Sequence, residues 1–257
     1  MTRSGPDGRV SERAYRHHRQ PPPLSRELTF THRQLQALRP CGCRREHERR
    51  RVVLTGGPGA GKTAVLELIR QHFCEHAHVL PEAAGIVFGG GFPRGQSASM
   101  RQATQRAIFH VQRELEAVGD ASPAGLVLCD RGTVDGVAYW PEPPDLWTAL
   151  GIARSDELAR YDAVIHLRTP TLATGYRRDA LRIESATEAA AIDDRIAEAW
   201  DGHPRRRSVA STAQFMDKAR QALELLHEEL PTCCGGRLLS SIGEPEQPTP
   251  EGATAGP

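Results

Sequence analysis

The chain has 257 residues, 39% of them hydrophobic and 25% charged, with a formal net charge of +1. That length accommodates one ordinary α/β domain with extensions and a sizeable core. No apolar run approaches membrane-spanning length, the first segment carries no apolar secretion signal, and the six cysteines follow no secreted disulfide pattern, so a cytoplasmic protein without a membrane span is expected.

Residues 1–50 hold 12 arginines against 5 acidic residues, so a basic extension precedes a body of net negative charge. Pro21, Pro22 and Pro23 fall in that extension and apolar periodicity is weak, which reads as mostly disordered chain. A basic tail has the chemistry to meet nucleic acid or an acidic surface, while the simplest reading is a solvated extension. Residues 235–257, rich in Pro, Gly and Glu, read as a second disordered tail.

The body opens with "VVLTGGPGAGKTAVLELIR", Val52 to Arg70. Val52–Leu54 is a short apolar run. From Lys62 the apolar residues Val65, Leu68, Ile69 and Phe73 recur at helical spacing, so the segment is strand, tight loop, helix. Gly56, Gly57, Pro58, Gly59, Ala60 and Gly61 form a loop in which backbone N–H groups can converge beside the positive end of the helix, a cradle for phosphate. The spacing GxxxxGK[ST] predicts that Lys62 reaches the β and γ phosphates of a nucleotide and that Thr63 holds Mg²⁺. Of the 33 basic residues only Lys62 and Lys218 are lysine. A compact ammonium fits under a phosphate-wrapping loop where a planar guanidinium does not.

Next, "AHVLPEAA" predicts a second strand ending near Glu82, followed by a flexible "GGGFP" turn. Residues 99–118 predict a helix with Ile108, Val111, Leu115 and Val118 on one face. "GLVLCDRG" is a buried third strand stopping at Asp130 and Arg131, "DAVIHLR" a fourth, and "SVAS", Ser208–Ser211, a short fifth. Ser211 with Gln214 resembles a capping box opening a last helix through Phe215, Leu223 and Leu226. This alternation predicts a doubly wound parallel five-stranded sheet with helices on both faces. Ligands of such sheets bind at the carboxyl ends of the strands, where chain order brings Gly56–Thr63, Glu82 and Asp130.

There Asp130 fits a second Mg²⁺-holding group. Glu82 is either a base on an acceptor hydroxyl or a loop-anchoring ion-pair partner. An arginine-rich stretch, about 171–203, is a candidate lid carrying Arg177, Arg178 and Arg182 over bound phosphates, against the plainer reading of a solvated helical face. Cys41 and Cys43, with His47 nearby, and the distant Cys233 and Cys234 have the ligand types for zinc. Neither pair has the usual two-residue separation, so the thiols are read as not metal-bound.

The glycine loop, "PEAA", "DRGTVDGVAY" from Asp130 to Tyr139, "YDAVIHL" and "GYRRDALRIE" from Gly175 to Glu184 together resemble the NadR-like AAA domain family over about Arg51 to Leu230. The resemblance implies a P-loop ATPase or kinase-like domain over 51–234, of nucleoside- or nucleotide-kinase type, with ATP and Mg²⁺. The name-giving member has a ribosylnicotinamide kinase domain, and many relatives are known only as ATPases. Its adenylyltransferase half has no counterpart in residues 1–50.

Three function classes follow: a kinase for a small-molecule acceptor, a regulatory ATPase with slow hydrolysis, and a nucleic-acid-associated accessory protein resting on the basic tail. The absence of NKxD disfavours a Ras-type GTPase, and the absence of LSGGQ disfavours an ABC-type ATPase. Acceptor-dependent ADP formation separates the first class from the second, and salt-sensitive binding to DNA or RNA marks the third.

Overall fold

The apolar runs build five parallel strands: β1 (Arg50–Thr55), β2 (Ala77–Leu80), β3 (Leu126–Asp130), β4 (Ala163–Leu167) and β5 (Arg206–Val209). A computed structural model describes residues 43, 45–141, 143–170, 185–212 and 214–234. The order across the sheet is β2-β3-β1-β4-β5. The helices are α1 (Lys62–His72), α2 (Ala83–Gly89), α3 (Ala98–Asp120), α4 (Leu146–Leu150), α5 (Arg154–Leu158), α6 (Ala186–Ala199) and α7 (Phe215–His227), with a 3₁₀ segment at Thr133–Tyr139 and a 3₁₀ turn at Thr232–Cys234.

Successive strand residues point to opposite faces, so the central strands serve two cores and read as continuous apolar runs rather than alternating ones. Val52, Leu54, Leu128, Ile165 and Leu167 pack with Val65, Leu66 and Ile69 of α1 and with Leu223 and Leu226 of α7. Val53, Val127, Cys129 and Val164 pack on the other face with Val134, Ile192, Ile196 and Trp200. Helices therefore cover both faces, as doubly wound topology requires. Among the described residues no helix is long and apolar enough to cross a membrane.

Several boundaries differ from expectation for identifiable reasons. β2 ends at Leu80, and Glu82 instead precedes α2 as its N-cap residue, so "AAGIVFG" is helix where a strand end and a turn were expected. In α3 the buried positions are Thr104, Phe109, Gln112, Glu116 and Gly119, while Val118 is 62% exposed. The helix is rotated because Glu116 is held inside by Arg160 and Tyr161 and accepts from Gln112 Nε2 at 2.9 Å. β5 begins two residues before Ser208, with Arg206, Arg207 and Ser208 exposed on this edge strand. α7 starts from Gln214 with no side-chain cap, and a capping box lies instead at Ser185 and Glu188, opening α6. Of the stretch expected as a lid, 171–184 lies outside the described residues, and the remainder carries α6, whose Ala189, Ile192, Ile196 and Ala199 are buried.

Candidate functional site

The loop from Gly56 to Gly61 joins β1 to α1 at the carboxyl edge of the sheet. Gly61 caps α1 in the left-handed region, φ 94°, and offers no side chain to the first-turn N–H groups, which leaves that end suited to an anion. Lys62 is 8% exposed, and its Nζ donates to the carbonyls of Gly56 at 2.8 Å and Gly57 at 3.2 Å. Burial and the nearby Arg131 lower its pKa to about 8. Thr63 follows on the exposed side of the helix start. The other lysine, Lys218 on α7, is 3% exposed and donates to Ala60 O at 2.7 Å and Arg168 O at 2.5 Å. Both lysines of the chain are thus spent on carbonyls of this one loop and its neighbour after β4.

A third support comes from a residue that sequence reasoning missed. Asp193 Oδ1 accepts from the Gly57 N–H at 2.7 Å and lies 2.8 Å from His166 Nε2, while Oδ2 accepts from the Thr169 N–H at 3.1 Å and pairs with Arg168 Nε at 3.1 Å. Burial works against its charge, but His166 and the two backbone N–H groups outweigh it and hold the pKa down at about 2. The signals were there in weak form: an acid at the position after Ile192 on the apolar stripe of α6, and a histidine inside the apolar run of β4.

Asp130 ends β3, opposite Leu54 of β1, one residue before that strand's last. Burial raises its pKa, with Lys62 the largest opposing charge. Its Oδ1 is buried and finds no hydrogen-bond partner among the described residues. An orphaned, desolvated carboxylate oxygen next to the helix start fits a hard cation, and Thr63 and Asp130 are the residues that would hold Mg²⁺.

Arg131 takes a left-handed conformation, φ 71°, and turns its guanidinium into a cluster. Nε donates to Glu82 Oε1 at 2.9 Å and Nη1 to Asp135 Oδ2 at 3.2 Å. Burial opposes the Arg131 charge, but Tyr139, Asp135, Glu82 and Asp130 outweigh it and raise its pKa. Asp135 also accepts from Thr55 Oγ1 and from Trp200 Nε1, each at 2.6 Å, and so ties the end of β1 to the end of α6. Because β3 lies between β1 and β2, Asp130 sits beside the loop strand and Glu82 on its far side. Among the described residues Glu82 Oε2 has no hydrogen-bond partner, and Glu82 lines a cavity of about 570 Å³. Phe88, Phe109 and Tyr139 give that cavity aromatic walls, and Gln105, Gln112 and Arg131 add polar groups. Arg177, Arg178 and Arg182 lie outside the described residues.

A parallel sheet in the order 2-3-1-4-5 with a glycine loop after its central strand defines a P-loop NTPase fold of the nucleotide-kinase layout. The chain belongs to the AAA domain family, which it matches over residues 51–218. Among solved structures it is similar to deoxyadenosine kinase from M. mycoides with bound dATP, at a TM-score of 0.50 and 12% identity, covering 69% of this chain and 99% of that one. It is likewise similar to thymidylate kinase from Candida albicans, at a TM-score of 0.50 and 13% identity, covering 70% and 92%. No curated protein matches it. At these identities the likeness concerns the fold.

Proposed function

We propose that the protein binds ATP at the Gly56–Thr63 loop and transfers its terminal phosphoryl group to a hydroxyl of a small molecule held in the neighbouring cavity. The observation that carries this reading is the cavity itself: about 570 Å³ of aromatic and polar-lined space beside Glu82, a volume that a protein hydrolysing ATP with water does not need. Its aromatic walls and amide groups suit a planar, hydrogen-bonding acceptor of nucleoside-like size.

In this reading Lys62 leaves the carbonyls of Gly56 and Gly57 for the phosphates, and the α1 N–H groups share their charge. Mg²⁺, held by Thr63 and Asp130, would neutralise charge that develops on the phosphates. Arg131 orients Glu82 through Oε1, leaving Oε2 to take the proton of the acceptor hydroxyl.

The Glu82–Arg131 ion pair favours a second reading, a regulatory ATPase in which Glu82 only anchors the turn before α2. ATP consumption measured against a panel of nucleosides, mononucleotides and vitamin-like alcohols tests the choice. Acceptor-dependent ADP formation is expected. If no acceptor stimulates it and Glu82→Gln leaves turnover unchanged, the kinase reading is wrong and the switch stands.

A further inference from the structure

At the amino edge of the sheet three chain segments that are distant in sequence meet: Cys43 with residues 45–47 before β1, Cys74–His76 before β2, and the 3₁₀ turn Thr232–Cys234 after α7. Cys43 Sγ lies 3.5 Å from His47 Nε2, and Cys233 Sγ lies 3.2 Å from the same nitrogen. Cys233 Sγ is 3.8 Å from His76 Nδ1, and the two imidazoles meet edge-on with centroids 4.7 Å apart. One donor atom from each of Cys43, His47, His76 and Cys233 falls within 4.8 Å of all the others. A tetrahedral zinc ion, with Zn–S near 2.3 Å and Zn–N near 2.0 Å, requires sulfur-to-nitrogen edges of roughly 3.5 Å, which is what these side chains present.

We propose that Cys43, His47, His76 and Cys233 form a structural zinc site that staples the segment before β1, the start of β2 and the end of the chain's last described turn. Two thiolates and two neutral imidazoles balance the charge of Zn²⁺, and this soft donor set selects zinc over the hard cations suited to the carboxyl edge. Cys74 and Cys234 flank His76, at 3.5 and 3.2 Å from its Nδ1, and their own sulfurs are 3.0 Å apart. With His76 they form a set of three donors, whereas a structural zinc site is closed by four.

The fold prepares the approach. A Cβ on Gly125, just before β3, would lie 2.5 Å from Pro231 Cγ and 3.1 Å from His47 Cβ, so two of the three segments close on the sheet over a residue with no side chain. β1 separates this site from the phosphate loop by roughly 17 Å at about 3.3 Å per residue, which makes the metal structural. The proposal does not rest on the nucleotide reading. Cys41, two residues before Cys43, lies outside the described residues.

The test is the zinc content of the full chain purified without chelator, measured by plasma mass spectrometry. One equivalent per chain is expected, falling below a tenth in Cys233→Ser and His47→Ala but kept in Cys74→Ser. Zinc retained by Cys233→Ser, or lost by Cys74→Ser, would overturn the ligand set. Should a variant fail to fold, cobalt(II) titration of the reduced, metal-stripped natural chain decides: the intense visible bands of a tetrahedral thiolate site, displaced by one equivalent of zinc, are expected. Absence of those bands together with zinc-free purified protein, or a disulfide at Cys43 or Cys233 found by non-reducing peptide mapping, would end the proposal.

Discussion

At the carboxyl edge of the sheet, charge is buried and answered by charge. Lys62, Asp130, Arg131 and Asp135 lie within one electrostatic neighbourhood, Asp193 holds the same loop through Gly57, and burial is the first influence on Lys62, Asp130, Arg131 and Asp193. At the amino edge the ion pairs of Arg50 with Glu229 and of Arg51 with Asp120 sit beside a cluster of thiols and imidazoles, ligands that a single soft cation would satisfy together. The two ends of the same strands thus meet the cost of burying polar groups differently. The carboxyl edge keeps Asp130 Oδ1, a buried carboxylate oxygen that no described residue satisfies, and that oxygen marks where a hard cation has something to offer.

The largest effect should come from the group that holds the carboxyl edge together rather than from one that touches substrate. Asp193→Ala strips the Gly57 and Thr169 N–H groups, His166 and Arg168 of a shared acceptor, and loss of one partner of a buried pair costs about 3–5 kcal/mol. Urea unfolding should show a drop of that size. A change under about 1 kcal/mol would mean that the loop stands without its anchor.

Glu82→Gln keeps the side-chain shape but removes the proton acceptor, so acceptor phosphorylation should fall by about 10²-fold with ATP affinity nearly unchanged. Steady-state kinetics with saturating ATP reads this directly. Equal losses in acceptor phosphorylation and in basal hydrolysis would instead assign Glu82 to holding Arg131 in place.

Lys62→Ala should weaken ATP binding by about 1.5–3 kcal/mol, the worth of a hydrogen bond to a charged group, and abolish turnover. Calorimetric titration of the folded variant checks it, and natural affinity would dismiss the phosphate cradle.

The smallest effect is one of pH. Because folding lowers the Lys62 pKa from 10.5 to about 8, burial opposes the folded state while the lysine is charged, and this opposition fades as pH rises from about 8 towards 10.5. Phosphate favours the ammonium, so above pH 8 nucleotide binding should take up a proton and affinity should decline by a few-fold. Titrations at pH 9 in two buffers of different ionisation enthalpy would reveal the uptake, and its persistence in Lys62→Ala would assign it to another group.

The legible part of this molecule was the part specified locally. β1, its glycine loop and α1 could be read because strand, loop spacing and helical period coincide within about twenty residues, and β3 and β4 because strands covered on both faces are unbroken apolar runs. α2 was lost because "AAGIVFGG" mixes glycine with β-branched residues and has only seven helical positions, too few for a period to emerge. The face of α3 was misplaced because two polar residues, Gln112 and Glu116, occupy core positions for reasons found on other elements. Asp193 meets Gly57 across 136 residues, and the His76 that joins the cysteines lies just before β2, far in sequence from either cysteine pair. Such contacts are decided by topology, which no window of sequence contains.

The engagement of both lysines beneath one loop makes the chain unusual as a target for amine-directed reagents. An activated ester or sulfonyl fluoride would find its two lysine ε-amino groups only at the phosphate loop, each with a pKa near 8 and hence a sizeable neutral fraction at mildly alkaline pH. Slow acylation of the lysine side chains at Lys62 and Lys218, blocked at Lys62 by nucleotide, would turn a compositional accident into a footprint of occupancy readable by peptide mass.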